Sequence, residues 1–327
     1  MRSETFSETA DESTVERCSS PAITPRMLLR SLPTARRRAL LQKSNRAGLE
    51  HLAWHLAAIG LMSAWIAFRW PFWPVAMLVQ GVLLVFLFTL MHECIHRTAF
   101  ASRALNDAVA AVCSVVLILP REWFRHFHLT HHRHTQDSDH DPELATPRPR
   151  SRRELLLYLS GLPLYRAAIV TVLINALGRN GDSFVPQSAR RQIAAEARWM
   201  IGLYGLFVWT MLSGGHACLF SLWIGPMLLG QPFLRLYLLA EHAGCPTVPN
   251  VFFNTRTTFT TALVRRLAWN MPFHTEHHAL PAVPFHRLPA LHELTRQHLQ
   301  MTSNGYGRFV RAYANTVAKG EESNLSR

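Results

Sequence analysis

The chain has 327 residues, 49% of them apolar, and 34 Lys and Arg against 21 Asp and Glu give it a formal charge of +13. That length allows one large or two ordinary soluble domains, but the apolar residues cluster in long runs flanked by arginine. This pattern favours lipid as the neighbour and excludes a soluble nucleic-acid binder.

The first residues, Met1 to about Thr24, are rich in Ser, Thr and Glu without an apolar core. They lack the form of a secretory signal and are expected to be a disordered cytoplasmic tail. The whole segment 1–48, with its arginines from Arg26 to Arg46, reads as disordered and basic. It precedes a domain at 49–300 and a cytoplasmic tail at 301–327.

A spanning helix needs roughly 17 to 25 apolar residues, because each adds about 1.5 Å across a core of about 30 Å. Leu52 to Phe68 and Val75 to Met91 meet this, joined by Arg69-Trp70-Pro71-Phe72-Trp73-Pro74, whose prolines break helices and whose tryptophans suit the membrane interface. A second pair lies between Arg198 and Arg235, a stretch free of charged side chains, with Gly214-Gly215 as its turn. Ala108 to Leu119 is too short to cross and reads as interfacial or re-entrant, and Leu155 to Leu177 as an amphipathic surface helix.

Arginines precede the first run and fill the middle loop from Arg121 to Arg153, whereas the two hairpin turns carry almost none. By the positive-inside rule the polar segments are cytoplasmic. The expected fold is therefore an all-α integral membrane protein. Four transmembrane helices form two hairpins, with a cytoplasmic histidine-rich helical cap, multi-pass in a bacterial inner membrane.

Most of the 18 histidines fall in three short stretches on that same side. His92 and His96 stand at i, i+4 at the end of the second run, which points both rings to one helical face. His128, His131 and His132, and again His274, His277 and His278, have HxxHH spacing, placing three rings on one side of a helix. His242 follows the fourth run at the depth of the first pair, with Glu241 beside it to orient it. Asp137, Asp139 and Asp141 follow the second cluster, either as acceptors for imidazole N–H groups or as solvated loop charges.

Imidazole suits several metals, but nine histidines suffice for two ions of five or six coordination, and two iron ions match redox chemistry in an apolar site. The cysteines Cys18, Cys94, Cys113, Cys218 and Cys245 have no paired spacing, so they are expected to be reduced and structural.

His92xxxHis96, His128xxHis131His132 and His274xxHis277His278, interleaved with two apolar hairpins, resemble the membrane fatty acid desaturase superfamily from about His51 to His298. That resemblance implies a non-haem di-iron site that uses O₂ and electrons from a separate donor, such as a ferredoxin or a cytochrome b5-type protein, to abstract hydrogen from an unactivated C–H bond. The implied reaction is desaturation of a fatty acyl chain. Hydroxylation or ketolation of a lipid, a carotenoid or a smaller metabolite is the alternative within the superfamily, and a non-catalytic metal-binding membrane protein the alternative outside it. Acyl-CoA desaturases of the superfamily carry an Asn one turn before the lone histidine, where this chain has Leu238. Neither a haem-binding HPGG sequence nor a ferredoxin-like cysteine run is present, so the donor is a partner protein, with the arginine-rich face as its docking surface or as a lipid contact.

Overall fold

The computed structural model describes residues 23–214 and 219–319. The disordered-tail reading of 1–22, the second glycine of the Gly214-Gly215 turn, Cys18 and Cys218 lie outside the described residues.

The described chain is mostly helical. Two short helices, α1 (Pro25–Ser31) and α2 (Thr34–Leu40), carry much of the basic segment and bury Leu28 and Leu40. The long helix α3 (Asn45–Ala67) follows, its end N-capped by the Ser44 side chain. After the aromatic turn, α4 (Trp73–Val85) and α5 (Leu87–His96) run as one rod interrupted only at Phe86. Phe68 and Phe72 in that turn are largely exposed, as aromatic side chains at a membrane interface are. Next come α6 (Arg103–Leu117), α7 (Arg121–His134), α8 (Arg152–Leu159), α9 (Leu162–Ala176) and α10 (Arg190–Gly214). A π-helical turn, Phe220–Ile224, leads into α11 (Gly225–His242).

Trp73–His96 and Phe220–His242 are long and apolar enough to cross a membrane. The other two expected spans are also single helices, α3 with 23 residues and α10 with 25. They are more polar, because α3 holds Glu50, His51 and His55 in its first half and α10 holds Arg190, Arg191, Glu196 and Arg198 in its own. The segment read as interfacial or re-entrant is α6, joined to α7 through a bend of 100°, and the stretch read as one amphipathic surface helix is instead two helices, α8 and the largely apolar α9, bent by 55°; each bent pair is together apolar enough for a broken span or a re-entrant loop. Gly161, with φ of 70°, takes the left-handed conformation at the second bend.

The rest of the chain folds over one end of these helices. The one-turn helix α12 (Val251–Asn254), strand β1 (Thr257–Phe259), α13 (Ala262–Leu267), α14 (His274–Ala279), α15 (Leu288–Thr295), strand β2 (Thr302–Asn304) and α16 (Tyr306–Lys319) complete it. The chain is mostly helical, as an all-α chain is, with one short addition among the described residues: β1 and β2 pair in parallel, Thr257 opposite Thr302 and Phe259 opposite Asn304. Pairing at this distance in sequence is set by the cap's tertiary packing and leaves no local pattern to read. The amphipathic α16 buries Phe309, Tyr313 and Val317 against Leu155, Leu239 and Ala243.

The core runs from Leu84, Val85 and Leu90 through Phe100 and Phe124 to Trp269, Phe285 and Leu288. It joins the two long apolar helices to the cap. Where α4 crosses α11, Gly81 and Gly230 face each other with no side chain between, so the backbones touch. Eleven residues beyond Gly81 stands His92, and twelve beyond Gly230 stands His242. At about 1.5 Å per residue the two histidines arrive at nearly equal height, some 17 to 18 Å past the crossing.

Candidate metal centre

The eight histidines singled out by spacing, and His242 singled out by its place at the end of the fourth apolar run, converge at that end of the helices. His92 and His96 come from α5, His128, His131 and His132 from α7, His242 from the last position of α11, and His274, His277 and His278 from α14. Seven are buried; His96 and His132 are partly exposed. They sort into two groups. One ring nitrogen each of His92, His96, His128, His132 and His277 lies within 4.8 Å of all the others in that set, and the same holds for His131, His242 and His278. His274 joins the second group through Nε2, 3.2 Å from Nε2 of His242. The stacked rings of His132 and His278, 4.0 Å apart, connect the two.

The donor chemistry fits metal ions. Nε2 of His96 is 2.8 Å from Nε2 of His128, and Nε2 of His277 is 3.2 Å from Nε2 of His132. Two ligand nitrogens at right angles on one ion, each about 2.1 Å from it, are separated by about 3.0 Å. Both nitrogens of His92 are buried without a hydrogen-bond partner, as are Nδ1 of His132 and Nε2 of His278. An unpaired buried polar atom is costly, and a bound cation supplies the missing partner. Burial, reinforced by the neighbouring imidazoles, holds His274, His277 and His278 well below their ordinary value of 6.5. These rings are therefore neutral, the state a ligand requires.

Other side chains fix the ring orientations. His131 Nδ1 lies 2.9 Å from Asp141 Oδ1, and Glu143 Oε2 is 3.2 Å from the same nitrogen, so Nε2 is turned toward His242 and His278. Asp141 is itself held by the backbone N–H of Gln136. His242 Nδ1 faces the carbonyl of Asn254 at 3.2 Å, and Thr135 Oγ1 lies 3.2 Å from Nδ1 of His278. Glu241 serves a different ring from the one expected: its Oε1 lies 3.3 Å from His274 Nδ1, because the i, i+1 neighbour on a helix points elsewhere. Of the three aspartates, Asp141 reaches the nine. Asp137 pairs with the more exposed His134 and His140, and Asp139 is exposed.

Two glutamates inside the histidine motifs take roles that the spacing of the histidines does not reveal. Glu276 accepts from Thr257 Oγ1 and faces Nδ1 of His292, both at 2.5 Å, tying α14 to β1 and α15. Glu93 accepts the backbone N–H of Phe285 and stands 3.8 Å from Nδ1 of His277. Their positions within the two histidine motifs are the signal the sequence offers.

Beside the histidines lies a cavity of about 350 Å³. Phe88, Leu119, Trp123, Phe124 and Phe127 form an apolar wall, His92, His128, His131, His242 and His274 another, and Arg148, Tyr158 and Arg235 lie among the remaining lining residues.

The model of the fatty acid desaturase family matches residues 68–309, most of the chain and all nine histidines. The chain belongs to that family. Among its relatives, an sn-1 acyl-lipid omega-3 desaturase (ferredoxin) of Synechocystis is 23% identical over 208 residues, 58% of this chain and 57% of that protein. A Delta(12) fatty acid desaturase of Calendula officinalis is 26% identical over 54% of this chain and 51% of its own length. The chain thus spans little more than half the length of these relatives. A dihydrorhizobitoxine desaturase of Bradyrhizobium elkanii is 24% identical over 308 residues, 88% of this chain and 84% of its own. Desaturases are oxidoreductases, and membrane-crossing helices fit the family.

Proposed function

We propose that the protein is an O₂-dependent desaturase of an acyl chain, with His92, His96, His128, His132 and His277 holding one iron ion and His131, His242, His274 and His278 a second. The observation that carries this reading is the meeting of nine imidazoles from four helices at the wall of an apolar cavity. An alkyl C–H bond is neither acidic nor polar, so acid–base side chains alone do not break it. When bound, the iron pair supplies that oxidising chemistry, with electrons from an external donor of the ferredoxin or cytochrome b5 type.

The chain's own residues bind, orient and enclose. Stacked Trp123 and Phe127, with ring centroids 5.3 Å apart, and Phe124 against His128, also at 5.3 Å, make a rigid apolar surface that excludes water and guides a hydrocarbon past the histidines. Asp141 accepts the Nδ1 proton of His131 and keeps that ring in one tautomer. In the membrane, α3 and α10 complete two hairpins with α4–α5 and α11, and the histidines face the cytoplasm. Exposed Leu56 and Leu61 on α3, and Leu206, Val208, Trp209 and Leu212 on α10, support their contact with lipid.

The test is lipid profiling of a bacterial host that expresses the protein with a competent electron donor. New acyl double bonds, absent with His277→Ala, are expected. An unchanged acyl profile together with conversion of supplied dihydrorhizobitoxine would overturn the acyl substrate. The long match to the Bradyrhizobium elkanii protein favours that second reading.

A further inference from the structure

We infer that the substrate enters the cavity as a compact oxyanion, with its anionic head inside the protein on Arg235 and Arg148 rather than outside on a bulky carrier. This rests on the reading of the cavity as the substrate site.

Arg235 is only 9% exposed although it sits on one of the two most apolar helices. It lines the cavity beside Tyr158, with Cζ 5.8 Å from that ring's centroid. Its Nε is buried without a hydrogen-bond partner. Arginine ion pairs among the described residues belong to Arg46, Arg121, Arg125 and Arg296, so neither Arg235 nor Arg148, the partly exposed second arginine of the cavity, makes a direct ion pair. Of the cavity's two glutamates, Glu143 pairs with His131, and Glu241 pairs with His274 and reaches Arg235 only through longer-range electrostatics.

A buried guanidinium without a counter-ion is expensive, and a planar carboxylate or a phosphate is the partner its donors fit. Lipid headgroups are a poor explanation for a side chain this enclosed. A thioester or glycerol ester has no charge to offer at this depth, whereas a free acid does.

The geometry also sets a ruler. Arg235, Leu238, Leu239 and His242 follow i, i+3, i+4, i+7 spacing and all line the cavity, so they share one face of α11. Arg235 stands seven residues before His242, about 10 Å along the axis. A head group held there puts the reacting carbons several bonds down the chain, with Leu238 against the intervening methylenes.

The test is calorimetric titration of the purified, iron-loaded protein in lipid nanodiscs with decanoate, methyl decanoate and decyl phosphate. Decanoate should bind roughly tenfold tighter or more than its neutral ester. Arg235→Gln should remove that preference while leaving ester binding unchanged, and Arg148→Gln should reduce it by a smaller factor. Where Arg235→Gln loses ester binding as well, Arg235→Lys decides, retaining a weakened preference through its charge. Decyl phosphate binding as tightly as decanoate extends the site to phosphates; binding no better than the ester restricts it to carboxylates. Equal binding of decanoate and ester by the unaltered protein, or a preference that survives Arg235→Gln and Arg148→Gln, would overturn the inference. Binding is read without turnover, so failure of the desaturase reading shows separately, as absent product with the oxyanion preference intact.

Discussion

Gly81 and Gly230 hold the two long apolar helices in backbone contact: a Cβ on Gly81 would lie 2.1 Å from the carbonyl oxygen of Pro226, and one on Gly230 2.3 Å from the carbonyl oxygen of Gly81. Neither obstacle is a flexible side chain, so any larger residue separates the helices that carry His92 and His242 toward the common centre. Gly81→Leu and Gly230→Leu should each cost about 3 kcal/mol of stability, at the upper end for overpacking, and should lower iron content. Gly202→Ala on α10, where a Cβ meets nothing within 4 Å, should change neither. Thermal melting in detergent and metal analysis on the same preparations check this, and full iron retention in Gly230→Leu would sink it.

Asp141 acts through His131. Asn in its place retains the size and one acceptor oxygen but removes the charge facing Nδ1. Asp141→Asn should weaken iron binding by roughly 10- to 100-fold. Equilibrium competition with a chelator measures this. Glu143, 42% exposed at its side chain and farther from Nδ1, should matter less when changed to Gln. A larger loss in Glu143→Gln than in Asp141→Asn would reverse the ranking.

The neutral histidines of α14 give the metal-free protein a definite pH response. In the fold, burial holds His274, His277 and His278 well below 6.5, whereas in the unfolded chain they return to about that value. Below it the unfolded state binds more protons than the folded one, so stability is present above about pH 6.5 and is lost as pH falls. Each histidine contributes a slope of up to about 1.4 kcal/mol per pH unit. Melting curves of chelator-treated protein between about pH 7.5 and 5.5 should show this decline. Replacing His277 with Gln should flatten it, and an unchanged melting temperature over the range would contradict it.

The histidine set was legible because its signal is local. HxxHH and HxxxH spacing puts rings on one helical face whatever the tertiary structure, and the eight rings so identified meet one another and His242, which only its place after an apolar run marks. The long apolar runs were legible for the same reason, although the polar first halves of α3 and α10 make them weaker candidates than α4–α5 and α11. Contacts between distant segments were not. Glu241 beside His242 in sequence faces His274, β1 finds its partner at Thr302, and Arg235 looked like the end of an apolar run rather than part of a cavity wall. Each depends on where separate helices come to rest, which no periodicity records.

Metal content of the purified protein bears most directly on the histidine centre. Inductively coupled plasma mass spectrometry should find close to two irons per chain, fewer in His132→Ala or His277→Ala, and an unchanged value in His134→Ala, whose ring pairs with Asp137 outside the nine. A catalytically active preparation holding one zinc and no iron, or iron undiminished by loss of His277, would contradict the di-iron centre.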